Sequence, residues 1–408
     1  MIIDDAQPVR PYATAPRRTA AREPGPWRGL AVFVVGRAVA HLLDEAVAGI
    51  ARGLEILDVV VLDESQRARA RAVLPGLGRM RPAGALAVEP YAFVVACDVG
   101  SPAPAGDRAV EARVAAVLHH TEQRLVRRFQ PRSRVGLVDV LAGPERALVL
   151  LDTLDDPSVR ERLEPRAAEL TRVCAVPFPV LRMLGGTSPG FRARVALVDH
   201  PRFGPVVCKV FRPGSAEAFD RELRARLDLG DLPEVPALLE HGPNWLLTPF
   251  YRDSGRHLVR RLPGELAQLR PSVVRTLLRF CHDLHDRGRF VLDLSPHNLL
   301  WDPRAGLKVL DLEFVFDYPD PAPSWDDCWS LRGVPGDFRA ATEGVPELMF
   351  TRGVGNSVFH PAVSGLRRRE LLGAGSRWES ARRTATQLAW FGALGTVGRL
   401  HPALRGHR

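Results

Sequence analysis

The sequence predicts two folded parts in succession: an α/β domain with a Rossmann-like sheet, and then an α+β domain built from two lobes. Three observations lead to this prediction. At 408 residues the chain exceeds what one ordinary core accommodates. Strand-like and helix-like runs alternate through residues 29–170, which is typical of a largely parallel sheet. From Val173 onward, short strands separated by turns precede a helical region, which is typical of an antiparallel sheet followed by helices.

The composition is that of a soluble globular protein, since 46% of the residues are apolar and 25% are charged. Apolar runs stay shorter than the ~18 residues that a membrane span needs, so we expect a cytoplasmic protein. Residues 1–28 are rich in Arg, Pro and Ala and lack an apolar centre. This stretch predicts a disordered tail and not a secretory signal.

The net charge of +9 is carried almost entirely by arginines that are spread along the chain. No aromatic-interleaved basic motif accompanies this charge, so compositional bias is the preferred interpretation and we expect no nucleic-acid partner. The five cysteines are scattered and include no CxxC pair. Neither a disulfide framework nor a zinc site is therefore predicted.

Five apolar runs predict the strands of the first domain, with helices between them: 29–36, 54–63, 91–99, 134–141 and 147–154. The first strand ends at a single glycine, Gly36, and lacks the GxGxxG turn that binds a dinucleotide at a helix N-terminus. Asp63 follows the second strand, where a ribose-binding carboxylate is one interpretation and a helix cap is the preferred one. We assign this domain no activity.

The second part begins with three predicted strands, in PFPVLRML, FRARVALVD and GPVVCKVFRP, with a glycine-bearing turn after the first. A helix is predicted in SAEAFDRELRARLDL, with Ser215 as its cap and apolar residues at four-residue spacing on one face. Two short strands, in VPALLEHG and NWLLTPFY, lead to another helix in SVVRTLLRFCHDLHDRG. Ser272 is its predicted cap and Gly288 closes it.

Lysine is rare in this chain, which has 56 Lys and Arg residues but only two lysines, Lys209 and Lys308. A lysine that persists in such a chain is expected where a compact ammonium fits and a broad guanidinium does not. Lys209 lies in the apolar strand-like run VVCKVF, which normally excludes charge. This lysine therefore needs a functional or structural partner.

Two neighbouring features supply such a role. Gly185, Gly186 and Gly190 form a turn one strand earlier. Because glycine has no side chain, a phosphate could approach the backbone N–H groups of this turn. Glu222, on the next helix, is placed to hold the Lys209 ammonium. A glycine-bearing turn alone is more often a plain hairpin. The strand Lys and the helix Glu that follow favour a phosphate site.

The stretch VLDLSPHNLLWDPRAGLKVLDLEF, over residues 291–314, carries the strongest signal. A polar turn between buried strands is its alternative interpretation. The two apolar runs after Asn298 predict a hairpin, whose start and end lie together, so Asn298 and Asp311 face one cavity as oxygen ligands for Mg²⁺. Asp293 leaves the preceding strand and is placed to accept the proton of an attacking hydroxyl. These are groups that phosphoryl transfer requires.

The motifs D-L-S-P-H-N and L-D-L-E resemble the catalytic loop and metal-binding segment of the protein-kinase-like superfamily. Lys209 and Glu222 stand where that family has its strand Lys and helix Glu. The resemblance covers residues 175–335. It implies a protein-kinase-like fold with an N-lobe over 173–251 and a C-lobe over 252–408, and it implies ATP and Mg²⁺ as cofactors.

The resemblance also implies a role for each matched residue. Asp293 would orient or deprotonate the acceptor hydroxyl, Lys209 would bind the phosphates, and Glu222 would position Lys209. Asn298 and Asp311 would bind Mg²⁺. The implied nucleotide site also contains the glycine turn and a hinge that receives the adenine: Gly185, Gly186, Gly190, Phe250 and Tyr251.

Departures from the protein-kinase pattern predict the acceptor class. Val291 and Leu292 replace the His-Arg pair before the catalytic Asp, and Ser295 replaces the Lys that protein kinases usually place after it. Glu313 replaces the glycine of the metal-binding segment and resembles sugar and small-molecule kinases of the choline, aminoglycoside and lipopolysaccharide-core types. We therefore expect the γ-phosphate to pass to a hydroxyl of a sugar, glycan or small molecule.

The spacing after the metal-binding segment supports the same acceptor class. Only 15 residues separate Asp311 from Asp327, which is too few for a peptide-binding activation segment. Asp327 itself is predicted to be a buried residue that anchors the catalytic loop.

Two alternatives stay open: an atypical protein Ser/Thr kinase, and a pseudokinase that binds nucleotide and regulates the N-terminal domain. The C-terminal segment RWESARRTATQLAWFGALGTVGRL predicts a basic helix. Peripheral contact of this helix with an anionic membrane is one interpretation, and packing within the C-lobe is the preferred one.

Overall fold

The computed structural model of the chain describes residues 27, 29–77, 88–99, 107–129, 137–185, 192–261, 267–335, 338, 356–359, 364–365, 382, 385–386 and 389. Three features predicted from the sequence lie wholly or mostly outside these residues. They are the N-terminal tail, the C-terminal basic helix, and two glycines of the predicted phosphate-binding turn, Gly186 and Gly190.

The first part of the chain contains four described strands and five α-helices. The strands are β1 (Leu30–Gly36), β2 (Glu55–Val61), β3 (Pro90–Cys97) and β4 (Val138–Ala142). The helices are α1 (Leu43–Ala51), α2 (Glu64–Val73), α3 (Asp107–Phe129), α4 (Pro144–Asp152) and α5 (Pro157–Val173). The strands form one sheet in the order β2-β3-β1-β4.

Every pairing in this sheet is antiparallel, so the predicted Rossmann-like, largely parallel sheet is wrong. The connection from β1 to β2 passes over β3, and the connection from β3 to β4 passes over β1. The helical connections do make β1 parallel to β2, but an antiparallel strand lies between the two. This order is that of a ferredoxin-like, split β-α-β sheet, with α2 added between β2 and β3.

Residues 147–154, predicted as a strand, belong instead to α4 and the turn that follows it. Gly143 ends β4 with a φ of 93°, and Pro144 occupies the first turn of the helix, where its missing N–H costs nothing. Leu150 and Leu151 are both buried against the sheet. Periodicity alone does not separate a short buried strand from a short buried helix.

Asp63 caps helix α2, which confirms the preferred interpretation of this residue. Its side chain accepts a hydrogen bond from the backbone N–H of Gln66 at 2.8 Å. The Gln66 side chain in turn accepts one from the backbone N–H of Asp63 at 3.0 Å. This capping box satisfies two backbone donors at the helix start.

The second part of the chain contains the remaining described elements. The strands are β5 (Val180–Gly185), β6 (Ala193–His200), β7 (Gly204–Phe211), β8 (Glu240–His241), β9 (Trp245–Pro249), β10 (Leu258–Arg261), β11 (Ala267–Leu269), β12 (Arg289–Val291), β13 (Leu299–Asp302), β14 (Gly306–Val309) and β15 (Val315–Asp317). The helices are α6 (Ala216–Asp228), α7 (Pro271–Asp286) and α8 (Trp329–Arg332).

Strands β5 to β9 form one antiparallel sheet in the order β5-β6-β7-β9-β8, as the sequence predicts for this region. Helix α6 lies against this sheet, with Phe219 packed on Phe211 of β7 and on Leu246 of β9. The rings of Phe219 and Phe211 are 5.6 Å apart in an edge-to-face arrangement. This packing fixes α6 beside β7.

Helix α7 provides the apolar core beneath three small antiparallel ladders, β10–β11, β12–β15 and β13–β14. Its buried face includes Val273, Leu277 and Phe280. The helix begins with Pro271 at its first position and Arg270 as its cap, so the predicted cap Ser272 lies inside the first turn.

A buried ion pair joins the two parts of the chain. Arg212, just after β7, places Nη1 2.8 Å from Glu55 Oε1, at the start of β2. The Arg212 guanidinium also donates to the backbone carbonyls of Ala51 and Arg52, at 2.9 and 2.7 Å. The Glu55 carboxylate accepts from the backbone N–H of Gly214 at 3.1 Å. The first domain is therefore attached directly before helix α6.

The helices of the described residues include none with the length and apolar character that a membrane crossing requires. All five cysteines are buried, and none of them forms a disulfide.

Candidate active site

Lys209 lies at the centre of the candidate active site, between two acidic side chains. Its Nζ lies 2.6 Å from Oε2 of Glu222 and 2.9 Å from Oδ1 of Asp311. Lys209 comes from β7, Glu222 from α6, and Asp311 from the segment after β14. Three of the residues singled out in the sequence therefore meet, although 102 positions separate Lys209 from Asp311.

Glu222 is fully buried and has a second partner on its own helix. Its other oxygen, Oε1, accepts hydrogen bonds from Arg226 at 3.0 Å from Nε and 2.5 Å from Nη2. Arg226 also donates to the backbone carbonyl of Leu310 at 2.9 Å, next to Asp311. Arg226 was not predicted as a site residue, although its i, i+4 spacing from Glu222 is a signal that the sequence contains.

The charges of this cluster shift one another's pKa values in the directions expected of paired ions. Burial alone lowers the pKa of Lys209, but the carboxylates of Asp311 and Glu222 outweigh it and raise that pKa above its usual value. Burial raises the pKa of Asp311, and the nearby Lys209 ammonium outweighs this effect and lowers that pKa. At neutral pH the site thus holds the Lys209 ammonium and an ionised Asp311 carboxylate.

Asp293 leaves strand β12 and enters the loop with a φ of 59°, in the left-handed region that side chains other than glycine rarely adopt. The amide Nδ2 of Asn298 donates to the backbone carbonyl of Asp293 at 3.0 Å, which holds the two ends of the loop together. Burial, and then the charge of Asp311, raises the pKa of Asp293 to about 6. This carboxyl is therefore a stronger base than an exposed aspartate.

The predicted hairpin after Asn298 is present and brings its two ends together. Strands β13 and β14 pair with Leu299 opposite Val309. The backbone N–H of Leu310 then donates to the carbonyl of Asn298 at 2.8 Å. Asn298 and Asp311 consequently lie at the same end of the hairpin, and their oxygen atoms are of the kind that Mg²⁺ prefers.

Glu313 is a further acidic residue of the site, to which the sequence analysis gave no catalytic role. One ligand atom from each of Glu222, Asp311 and Glu313 lies within 4.8 Å of the other two. Glu313 is buried, and its Oε1 accepts a hydrogen bond from Nε of Arg192 at 2.6 Å. Its Oε2 is also buried and has no hydrogen-bond partner among the described residues. Burial, and then the charge of Asp311, raises the pKa of Glu313.

Two buried polar residues anchor the backbone on either side of Asp293. Ser330 Oγ accepts from the backbone N–H of Val291 at 3.0 Å. Asn356 Oδ1 accepts from the backbone N–H of Leu294 at 2.6 Å, and its Nδ2 donates to the carbonyl of Val291 at 2.9 Å.

The predicted anchor Asp327 does not take this role. Its side chain is about half exposed (52%) and pairs with Arg332 on α8. The prediction failed because α8 presents Ser330, and not Asp327, to the backbone beside Asp293. Asn356 belongs to no recognisable sequence motif, so its role could not be predicted.

The predicted adenine-binding residues follow strand β9. Phe250 is partly exposed, at 37%. The Tyr251 hydroxyl accepts a hydrogen bond from the backbone N–H of Ala237 at 3.4 Å, and its ring lies 5.2 Å from Nζ of Lys308. Lys308, the second lysine of the chain, is buried and donates to the carbonyl of Pro233 at 2.5 Å. Lys308 therefore has a structural role beside the hinge.

Gly185 is the only residue of the predicted glycine turn among those that the structure describes. It ends β5 and pairs with Val195 of β6. Among the described residues, a Cβ added at this position would meet only Val195, at 3.9 Å, so their packing does not require a glycine here.

Comparison with known proteins gives little further information. Neither the protein-family models nor the curated proteins include a match to this chain. Among solved structures, the chain is similar to the crystal structure of WbdD, with 21% sequence identity and a TM-score of 0.28. The similarity covers 35% of this chain and 34% of that chain, so it spans about a third of either protein.

Proposed function

We propose that this protein is an ATP- and Mg²⁺-dependent phosphotransferase that transfers the γ-phosphoryl group to a hydroxyl of a sugar, glycan or other small molecule. One observation carries the proposal: the Lys209 ammonium lies between Glu222 and Asp311, at 2.6 and 2.9 Å. An ammonium held in a largely buried position by carboxylates from two other elements is a preorganised partner for a polyanion.

The residues of the site fit a divalent cation. Asp311, Asn298 and Glu313 supply oxygen donors, and Oε2 of Glu313 is buried without a hydrogen-bond partner among the described residues. Asp311 and Asn298 are the residues that would hold the cation. When bound, Mg²⁺ neutralises negative charge on the transferred phosphoryl group.

The roles of the chain's own residues follow from their positions. Lys209 binds the phosphates, and Glu222 and Arg226 keep its ammonium in place. Asp293 accepts the proton of the acceptor hydroxyl as the hydroxyl oxygen forms a bond to the γ-phosphorus. The bond from this phosphorus to the β,γ-bridging oxygen breaks, and ADP leaves with that oxygen. A pKa of about 6 leaves Asp293 mostly ionised at neutral pH, as a proton acceptor must be.

The segment after Asp311 supports a small acceptor. Residues 315–317 form β15, which pairs with β12 directly beside the catalytic loop. A short helical turn then follows at Trp325–Asp327 and leads into α8. Residues 312–332 thus contain only short elements and leave little chain for a peptide-binding segment, although a peptide acceptor is the main alternative.

The experiment is a transfer assay with γ-³²P-labelled ATP, Mg²⁺ and two panels of acceptors, one of sugars and glycans and one of polypeptides. Asp293→Asn serves as the matched inactive control. We expect label in at least one member of the first panel with the wild type, and only a small fraction of that label with Asp293→Asn. Label only in polypeptides would contradict the acceptor class. Nucleotide binding without transfer to either panel would favour a pseudokinase.

A further inference from the structure

Two arginines from the five-stranded sheet and its helix hold the segment that follows Asp311. Arg192, directly before β6, donates from Nε to Oε1 of Glu313 at 2.6 Å, and its guanidinium lies 4.6 Å from the Phe314 ring centroid. Arg221, on α6, donates from Nε to the backbone carbonyl of Glu313 at 2.8 Å and lies 5.3 Å from the Phe316 ring centroid. Each arginine thus combines one hydrogen bond with one aromatic contact.

The two arginines differ in what their terminal nitrogens do. Nη1 of Arg221 lies 3.7 Å from the Glu217 carboxylate on the same helix. For Arg192, only Nε has a hydrogen-bond partner in the described part of the chain, and 27% of the side chain is exposed. Among the described residues, Arg192 therefore has its Nε held by Glu313 and two terminal nitrogens without a hydrogen-bond partner, each a donor.

The position of Arg192 relates these free donors to the candidate active site. It follows the predicted glycine turn, and β6 runs antiparallel to β7 with Val195 opposite Lys209. Lys209 and Arg192, from neighbouring strands, contact Asp311 and Glu313, which are two residues apart. Arg192 therefore contacts the same short segment as Lys209.

We propose that Arg192 is a second phosphate-binding residue, which donates its two terminal nitrogens to the β- and γ-phosphates of the nucleotide while Glu313 holds its Nε. A guanidinium suits this task because its planar fork donates two parallel hydrogen bonds to phosphate oxygens. Glu313 is then a positioning residue for Arg192. This inference rests on the proposed function, since it needs a triphosphate in the cleft.

The test compares the affinities of MgATP and adenosine, measured by calorimetry, for the full-length wild type and three variants. Arg192→Ala should weaken MgATP binding by about tenfold to a hundredfold, as expected for lost charge-assisted hydrogen bonds, and leave adenosine binding unchanged. Arg192→Lys should give an intermediate loss for MgATP. Arg221→Ala is the matched control, because it also removes a hydrogen bond to Glu313 and an aromatic contact. It should not change the ratio of the two affinities.

Arg182→Ala controls for the loss of a positive charge, because Arg182 is exposed on β5, and it should leave both affinities unchanged. Arg192→Ala binding MgATP as tightly as the wild type would overturn the inference. An equal loss of both affinities would also overturn it, since that result indicates only a structural role. If the wild type binds no MgATP, the proposed function fails, and this inference fails with it.

Discussion

Lys209 is a residue for which size matters as much as charge. Its ammonium contacts carboxylates from two different elements at 2.6 and 2.9 Å, and its side chain is only 15% exposed. A guanidinium is broader and spreads its charge over a plane, so an arginine does not fit this slot without moving α6 or the Asp311 segment. This explains physically why a chain so rich in arginine keeps a lysine here.

We predict that Lys209→Met lowers kcat by about 100- to 1000-fold, the range measured when one preorganised electrostatic group is removed from an active site. Lys209→Arg should also be strongly impaired, although it preserves the charge. Steady-state release of ADP in the presence of an acceptor measures both variants. An Arg variant with wild-type activity would show that charge alone matters.

Asp293 should impose a pH dependence on the reaction. Its pKa is about 6, and it must be ionised to accept a proton, so kcat/KM for the acceptor should fall about tenfold per pH unit below pH 6 and level off above it. A pH–rate profile from pH 4.5 to 8 measures this acid limb, the part of the curve in which kcat/KM falls as the pH falls. Asp293→Asn should abolish most activity and remove the limb from what remains. The same acid limb in Asp293→Asn would assign it to another group.

Several site residues could be predicted because residue type and order carry the information. Lys209 is a charge in an apolar strand, and Asn298 and Asp311 flank a recognisable hairpin. The Arg192–Glu313 pair could not be predicted, because 121 positions separate these residues and nothing in the local pattern relates them.

At the scale of elements, the loop that contains Asp293 depends on side chains that come from elsewhere in the chain. Asn356 is almost fully buried and bonds to the backbone at Val291, Leu294 and Ser330. These bonds fix the residues on both sides of Asp293, whose own backbone lies in an unfavourable region. The strained loop is thus held by its surroundings and not by local preference.

We predict that Asn356→Ala lowers the free energy of unfolding by about 1–3 kcal/mol, because it leaves buried backbone groups without partners. Denaturant unfolding measures this change. Asn356→Ala should also lower kcat more than it changes KM for ATP, because the substitution releases the Asp293 loop and leaves Lys209 in place. Ser330→Ala removes only the bond to Val291 and should have a smaller effect. No change in kcat for either variant would contradict this role.

Most helices and strands could be predicted from periodicity, but the pairing of strands in the first domain could not. The run of alternating elements gave the correct relative directions of β1 and β2, but it contained no information on which strand lies between them. The segment at 147–154 shows a second limit, because a short apolar run fits a helix as well as a strand.

At the scale of the whole molecule, the first domain and the candidate active site are physically connected. Glu55 pairs with Arg212, and α6, which carries Glu222, begins four residues later at Ala216. The pair is almost fully buried, so each charge is neutralised mainly by the other. A change at this contact reaches the start of the helix that positions Lys209.

We predict that Glu55→Ala destabilises the protein by about 3–5 kcal/mol, because it leaves the Arg212 guanidinium buried without its counter-ion. Differential scanning calorimetry of the full chain should show a lower melting temperature. Glu89→Ala is a matched control, since Glu89 pairs with Arg37 and Arg71 on the exposed surface, and it should cost less than about 1 kcal/mol. Equal destabilisation by the two substitutions would contradict a specific stabilising role for the buried pair.

The proposed metal-dependent nucleotide site around Lys209 does not depend on the identity of the acceptor. Its most direct test is calorimetric titration of the full chain with ATP, with and without Mg²⁺, for the wild type and Asp311→Asn. We predict saturable ATP binding by the wild type that is at least about tenfold tighter with Mg²⁺, and a loss of that Mg²⁺ dependence in Asp311→Asn. No binding of ATP by the wild type, or binding by both proteins with the same response to Mg²⁺, would contradict the claim.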